Sequence, residues 1–209
     1  FRLLKKNIFE NNKILIIGDY DVDGCLSTSL MVKFLNFNKS KVNFYIPDRF
    51  KDGYGADLNL IKRLINKYNP KLVIFLDCGS SSNSAINYIH SKSISSLIID
   101  HHNTFIPYPL PDVFINPKKN VDYKNYDYLC TTFITYMFID LYIKLNKSKY
   151  LLKDDQIYVL LATIADVMPL RGINKILAVN VIKNFDVNKN FIFKNLFKIL
   201  NIKKKITNQ

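Results

Sequence analysis

Three times in the first half of the chain, an apolar stretch of strand length runs directly into an acid. Ile14-Leu15-Ile16-Ile17 reaches Gly18-Asp19, Leu72-Val73-Ile74-Phe75-Leu76 reaches Asp77, and a run from Ile94 to Ile99 reaches Asp100-His101-His102. The segments between them carry apolar residues at helical spacing, such as Leu26, Leu30, Met31, Phe34 and Leu35, then Leu58, Ile61, Leu64 and Ile65. Strands that alternate with helices in this way predict a doubly wound α/β domain of about five mainly parallel strands, followed by a mainly helical C-terminal part. Ligands bind such sheets outside the C-terminal ends of the strands. The chain delivers its acids, and two of its three histidines, to that edge.

The first of these strand ends is the most heavily charged. Gly18-Asp19-Tyr20-Asp21-Val22-Asp23-Gly24 places three aspartates at alternate positions over five residues. In extended backbone, side chains two apart share a face, so Asp19, Asp21 and Asp23 would point one way and Tyr20 and Val22 the other. Carboxylates that close repel, and each then favours its protonated form. A hard divalent cation among them removes the conflict; an acidic turn without a ligand is the alternative. A further acid, Asp166, falls at the end of a helix that opens at Asp154-Asp155 and reaches Ala165. A carboxylate there opposes the helix dipole, as expected of a residue fixed by a metal rather than by its helix.

Composition narrows the field. The 209 residues carry a formal net charge of +13, which suits a polyanionic partner such as nucleic acid. Arginine occurs only at positions 2, 49, 63 and 171, and the heavy use of Lys, Asn and Ile gives compositional bias as a second source of the charge. No apolar run reaches the roughly 18 residues of a membrane span. No signal-peptide pattern precedes the first strand. A cytoplasmic, membrane-free monomer is expected, and the start at Phe1 reads as a fragment or trimmed chain. Cys25, Cys78 and Cys130 match no zinc spacing and are expected to be reduced and buried. His90, late in its helix, is expected to be solvated or to satisfy the helix dipole rather than to act as a ligand. The expected division is 1–128 for the α/β core, 129–182 for a helical continuation that opens with a long buried helix, and 183–209 for a basic linker helix or tail. That tail packs its apolar side and solvates its lysines, or else tracks a nucleic-acid backbone.

The ordered motifs resemble those of the DHH phosphoesterases and, more narrowly, of the RecJ-type single-stranded-DNA exonucleases. Gly18 to Gly24 is similar to the first motif, and Asp77-Cys78-Gly79 with Ser80-Ser81-Ser82 to the second. Asp100-His101-His102 is similar to the third, and Ala162-Thr163-Ile164-Ala165-Asp166-Val167-Met168-Pro169-Leu170 to the fourth. The stretches Ile46 to Gly55 and Ile115-Asn116-Pro117 point to the RecJ branch. The resemblance covers residues 13–182. It implies two divalent ions, Mn²⁺ or Mg²⁺, with Asp77 bridging both. Asp21 would hold one, with Asp19 as a further ligand, and Asp23, His101 and Asp166 would complete the other. It also implies His102 on the substrate phosphate, with Asp100 orienting the histidines. In the loop from Pro47 to Gly55, Arg49 would meet phosphate and Tyr54 sugar or base, unless the loop is an ordinary connection.

The activity so implied is metal-dependent hydrolysis of single-stranded DNA from the 5′ end to mononucleotides, in DNA repair and recombination, with a single-strand-binding protein or helicase as partner. Two alternatives stand beside it. One is a DHH phosphoesterase for small substrates: nanoRNA, a cyclic dinucleotide, a bisphosphonucleotide or pyrophosphate. The other is a non-catalytic remnant that binds nucleic acid. The sequence departs from the family pattern in three places. Leu129-Cys130-Thr131-Thr132-Phe133-Ile134 stands where a glycine-rich stretch is expected, Ala162 stands where glycine is common, and the second gripping domain and OB-fold of RecJ proteins are not among these residues.

Overall fold

Each apolar run becomes a strand in the computed structural model, which describes residues 1–52, 56–119 and 125–202. The strands are β1 (Lys13–Ile17), β2 (Lys41–Tyr45), β3 (Leu72–Leu76), β4 (Ser95–Ile99) and β5 (Val113–Ile115). They form one sheet in the order β2-β1-β3-β4-β5, and every neighbouring pair is parallel. β1, β3 and β4 lie inside the sheet, covered on both faces, which is why β1 and β3 read as near-continuous apolar runs and β4 ends in one, Leu97-Ile98-Ile99, after two serines. β2 is an edge strand with Lys41, Asn43 and Phe44 exposed.

Alternation along the strands sorts the core into two layers. Leu15, Ile17, Val73, Phe75 and Ile98 face α3 (Leu58–Tyr68) and α4 (Asn83–Ser91), which bury Leu60, Ile61, Leu64, Ile86 and Ile89 against them. On the opposite face lies α2 (Val22–Phe37), which packs in turn on α5 (Thr131–Asn146) and α6 (Gln156–Ala165). Each fully buried Leu or Ile contributes about 1.5–3 kcal/mol relative to exposure. Helix ends follow local chemistry. Asp57 caps α3 by accepting the Asn59 and Leu60 amides, and Asn69, in a left-handed conformation at φ 47°, ends it before Pro70. A short N-terminal helix, α1 (Arg2–Phe9), precedes the sheet.

The chain separates into two compact units, Phe1–Met168 and Pro169–Gln209. The sheet and all the strand-end acids belong to the first. The second contains α7 (Gly172–Asn184), a 3-10 turn over Val187–Lys189 and α8 (Phe191–Ile199). The basic tail is thus not one helix. Asp186 takes the Asn188 amide and starts the 3-10 turn, and Asn190 recaps the chain by accepting the Phe193 amide. No residue of α8 is fully buried, but its apolar side packs in part: Phe193 and Phe197 are half-buried, and Phe193 lies edge-on against Phe185 with ring centroids 5.2 Å apart.

Other expectations also change. α5 is not buried all round: Met137, Leu141 and Leu145 are exposed along one side. Cys78 and Cys130 are buried, but Cys25 is exposed, because it lies in the first turn of α2 where the helix faces solvent. His90 is not simply solvated, since its Nε2 lies 3.1 Å from Ser96 Oγ and 3.4 Å from Asp112 Oδ2. No helix among the described residues is long and apolar enough to cross a membrane.

Candidate metal centre

The sheet reverses its winding between β1 and β3, the switch point where a crevice opens at the strands' C-terminal edge. Asp19 follows β1, Asp77 follows β3, and Asp100-His101-His102 follows β4. α2 begins earlier than alternation implied. Asp21 is its N-cap and accepts the Gly24 amide at 2.8 Å, so Asp23 sits in the first helical turn rather than in an extended strand. The three aspartates therefore do not share a strand face; the turn into α2 fans them around the crevice. Gly24 is required for this. A Cβ there would lie 2.5–2.6 Å from the backbone of Asp19.

Three sets of side chains bring one ligand atom each within 4.8 Å of one another: Asp23, His101 and Asp166; Asp19, Asp21 and Asp77; and Asp77, His101 and His102. His101 Nε2 is the common point of the first set and Asp77. It lies 3.4 Å from Asp77 Oδ1, 3.5 Å from Asp166 Oδ2 and 3.9 Å from Asp23 Oδ2. Asp77 reaches this position from a left-handed backbone at φ 63°, with its amide donating to the Ile99 carbonyl at 3.1 Å. Asp tolerates that conformation better than most residues. Gly79, at φ 103°, continues the turn into the Ser-rich start of α4.

Asp100 organises the third strand end. Its carboxylate accepts the Ser80 amide at 3.0 Å, the His101 and His102 amides at 2.8 and 3.2 Å, and His102 Nδ1–H at 2.8 Å. It thus holds the ring of His102 but not that of His101, whose Nδ1 is buried without a hydrogen-bond partner. The expectation that Asp100 orients both imidazoles is corrected in this respect. His102 Nδ1 carries its proton toward Asp100 and is not available as a ligand at the same time. Asn116 braces the arrangement, donating to Ser80 Oγ at 2.8 Å and to the His102 carbonyl at 2.9 Å.

Electrostatics separate these groups. Burial pushes the carboxyls of Asp19, Asp23, Asp77 and Asp166 up; at Asp77 the charges of Asp23 and Asp21 add to it. Burial pushes His101 down, against the pull of Asp166, and so favours the neutral imidazole that ligates metals. Burial also works against ionisation of Asp100. The hydrogen bond and charge of His102, with the donors of Ser80, outweigh it and hold that carboxyl at about 2. The same hydrogen bond raises His102.

The donor set fits a divalent ion. Asp77 Oδ2 and Asp166 Oδ2 are buried and accept no hydrogen bond. Each such orphan costs about 1–3 kcal/mol. Carboxylate oxygens with one imidazole are the ligands that Mn²⁺ and Mg²⁺ take.

Arg49 lies outside this cluster, in an exposed loop. Its guanidinium sits 5.5 Å from the ring centroid of Tyr20, the residue between Asp19 and Asp21. The loop is held by Asp52, which accepts Tyr45 Oη–H and an Arg63 N–H, each at 2.6 Å. Tyr54, expected to meet sugar or base, lies outside the described residues. A polar cavity of about 580 Å³ opens beside His102 and Asp100, walled by Asp57, Ser80, Ser81, Ser82 and Asn83.

Two contributors escaped the sequence reading. The Thr131 and Thr132 amides, at the start of α5, donate to the two carboxylate oxygens of Asp23 at 2.7 and 2.8 Å, and Thr131 Oγ1 donates to Asp77 Oδ1 at 2.9 Å. The pairs are separated by 108, 109 and 54 residues, so no local pattern could have announced them.

Residues 13–167 match the sequence profile of the DHH family, N-terminal domain. Among curated proteins, the chain is 39% identical over 119 residues to the single-stranded-DNA-specific exonuclease RecJ of Bacillus subtilis (strain 168), covering 56% of this chain and 15% of that protein. It is 32% identical over 175 residues to the enzyme of the same description from Haemophilus influenzae, covering 79% of this chain and 30% of that protein. The chain therefore spans less than a third of the length of these relatives. Among solved structures, its fold is similar to that of an exonuclease RecJ bound to manganese, with a TM-score of 0.84 and 21% identity over 97% of this chain and 51% of that one.

Proposed function

This chain belongs to the DHH family, and from that premise we propose that it is a divalent-metal-dependent phosphoesterase that hydrolyses single-stranded DNA from the 5′ end. The observation that carries the reading is the convergence of buried carboxylates and one neutral imidazole on one crevice, with two carboxylate oxygens left without hydrogen bonds. Asp23, His101 and Asp166 would hold one ion and Asp19 with Asp21 the other, Asp77 being shared. Bound there, Mn²⁺ or Mg²⁺ supplies charge neutralisation at the phosphate and activation of the attacking water.

The chain's own residues do the rest. Asp100 commits Nδ1–H of His102 and raises its proton affinity, so the ring is suited to meet a non-bridging phosphate oxygen through Nε2. At the rim, Arg49 and Tyr20 offer a guanidinium and an aromatic face, the pair that grips phosphate and base in single strands. The net charge of +13 favours approach of a polyanion. A second reading, a phosphoesterase for short or cyclic nucleotides, draws support from the polar cavity beside His102.

The test is hydrolysis with Mn²⁺ of 5′-labelled single-stranded DNA, duplex DNA and dinucleotides, with Asp77→Ala as control. Mononucleotides released from the single strand support the leading reading. Cleavage of dinucleotides alone supports the second. No hydrolysis of any of them, with Mn²⁺ bound, would overturn both and favour a nucleic-acid-binding role.

A further inference from the structure

We propose that Thr131 is a positioning residue of the metal centre, its hydroxyl fixing the orientation of the Asp77 carboxylate. The inference rests on the reading of Asp77 as the shared ligand. Thr131 is fully buried at the first position of α5. Its Oγ1 donates to Asp77 Oδ1 at 2.9 Å, while its amide donates to Asp23 Oδ2 at 2.7 Å. Thr132 adds its amide to Asp23 Oδ1 at 2.8 Å and its hydroxyl to the Asp23 carbonyl at 3.0 Å. Cys130, at the cap position of α5, makes no side-chain capping hydrogen bond; its thiol pairs with Thr163 Oγ1 at 3.6 Å instead. Asp23 therefore serves as the cap of a helix 108 residues away, and one helix end clamps two acids, Asp23 from the first turn of α2 and Asp77 from the end of β3.

The clamp matters most at Asp77. The last torsion of an aspartate is broad and nearly two-fold, so the backbone alone does not decide where each oxygen points. His101 Nε2 stands 3.4 Å from the same Asp77 Oδ1. The Thr131 hydroxyl occupies Oδ1 and leaves Oδ2 buried and without a hydrogen bond. The family resemblance leads one to expect a glycine-rich stretch here, which could supply the amides but not the hydroxyl.

The experiment uses the full chain and three proteins: wild type, Thr131→Val, which keeps the shape and loses the donor, and Thr131→Ser, which restores it. Mn²⁺ affinity is measured by calorimetry, alongside the thermal midpoint in EDTA. Loss of an outer partner of a metal ligand typically weakens affinity about 10–100-fold. Thr131→Val should show a loss of that size and Thr131→Ser should bind close to wild type. Should Thr131→Val not fold, Thr131→Ala removes the same donor without new bulk and carries the same comparison. A donor-less variant that binds Mn²⁺ as wild type does, even with a lowered midpoint, would make Thr131 a packing residue and overturn the proposal. Equal weakening by Val and Ser would overturn it too. Wild type that binds no Mn²⁺ would instead sink the metal reading on which it rests.

Discussion

Asp77→Asn should make the metal-free protein more stable while abolishing its response to metal. Asp77 is buried and its carboxylate feels the charges of Asp23 and Asp21, and Asp21 places an oxygen within 4.8 Å of an Asp77 oxygen. At an effective dielectric near 20, two unit charges at that separation repel by about 3.5 kcal/mol. Asparagine removes the repulsion, keeps an oxygen for the Thr131 hydroxyl and turns N–H donors toward the remaining carboxylates. Partial protonation already relieves some of the strain in the wild type, so a gain of roughly 2–3 kcal/mol is expected, or about 5–10 °C in a chain of this size.

The pH dependence has a definite sign. Burial raises the folded-state values of Asp77, Asp19, Asp23 and Asp166 above the ordinary 3.8. Their contribution to stability is therefore present below that value and lost as pH rises through the folded values. Asp100, held at about 2, works in the opposite sense. It stabilises above the ordinary value and fails only as pH falls toward 2. The advantage of Asp77→Asn should thus be small in acid and grow toward pH 8. Thermal denaturation in EDTA across that range, repeated with Mn²⁺, measures both halves. A variant less stable than wild type in EDTA at pH 8, or one that Mn²⁺ still stabilises like wild type, would refute the reasoning.

Other variants probe neighbouring elements. His102→Ala should retain Mn²⁺ affinity and lose about 10²-fold or more in kcat, as calorimetry and turnover measured together will reveal; unimpaired turnover would remove His102 from the site. Arg49→Ala should weaken single-stranded-DNA binding and flatten its dependence on salt, read by fluorescence anisotropy at two ionic strengths; an unchanged slope would detach Arg49 from the phosphate. Val167, β-branched, 85% exposed and at φ 54° just beyond α6, occupies a position that favours glycine. Val167→Gly should raise stability by about 1 kcal/mol in a thermal melt, and a lower midpoint would show that the strain is offset by contacts of the side chain.

Much of this architecture was legible because period and composition act locally. β1, β3 and β4 are buried on both faces and so announce themselves by apolar runs, broken only by Ser95 and Ser96 in β4, and Asp57 and Pro70 bracket α3 by their own local chemistry. Reading Asp19, Asp21 and Asp23 as an extended row failed because Asp21 accepts the Gly24 amide and starts the helix at Val22. Alternation cannot register such a cap. The grip of Asp100 on His102 rather than His101 depends on how the chain folds back after β4, and the clamp from Thr131 and Thr132 on packing of α5 against α2. Both are products of tertiary structure and leave no periodic mark. Cys25 illustrates the same limit: its neighbours in sequence say nothing of which side of α2 faces water.

The most direct test of the central claim is to locate Mn²⁺ in crystals of the full chain by anomalous scattering. The account predicts two peaks per chain, one ligated by Asp23, Asp77, His101 and Asp166 and the other by Asp77 with Asp21 and Asp19. A single peak bound through His102, or none at this crevice at saturating Mn²⁺, would contradict it.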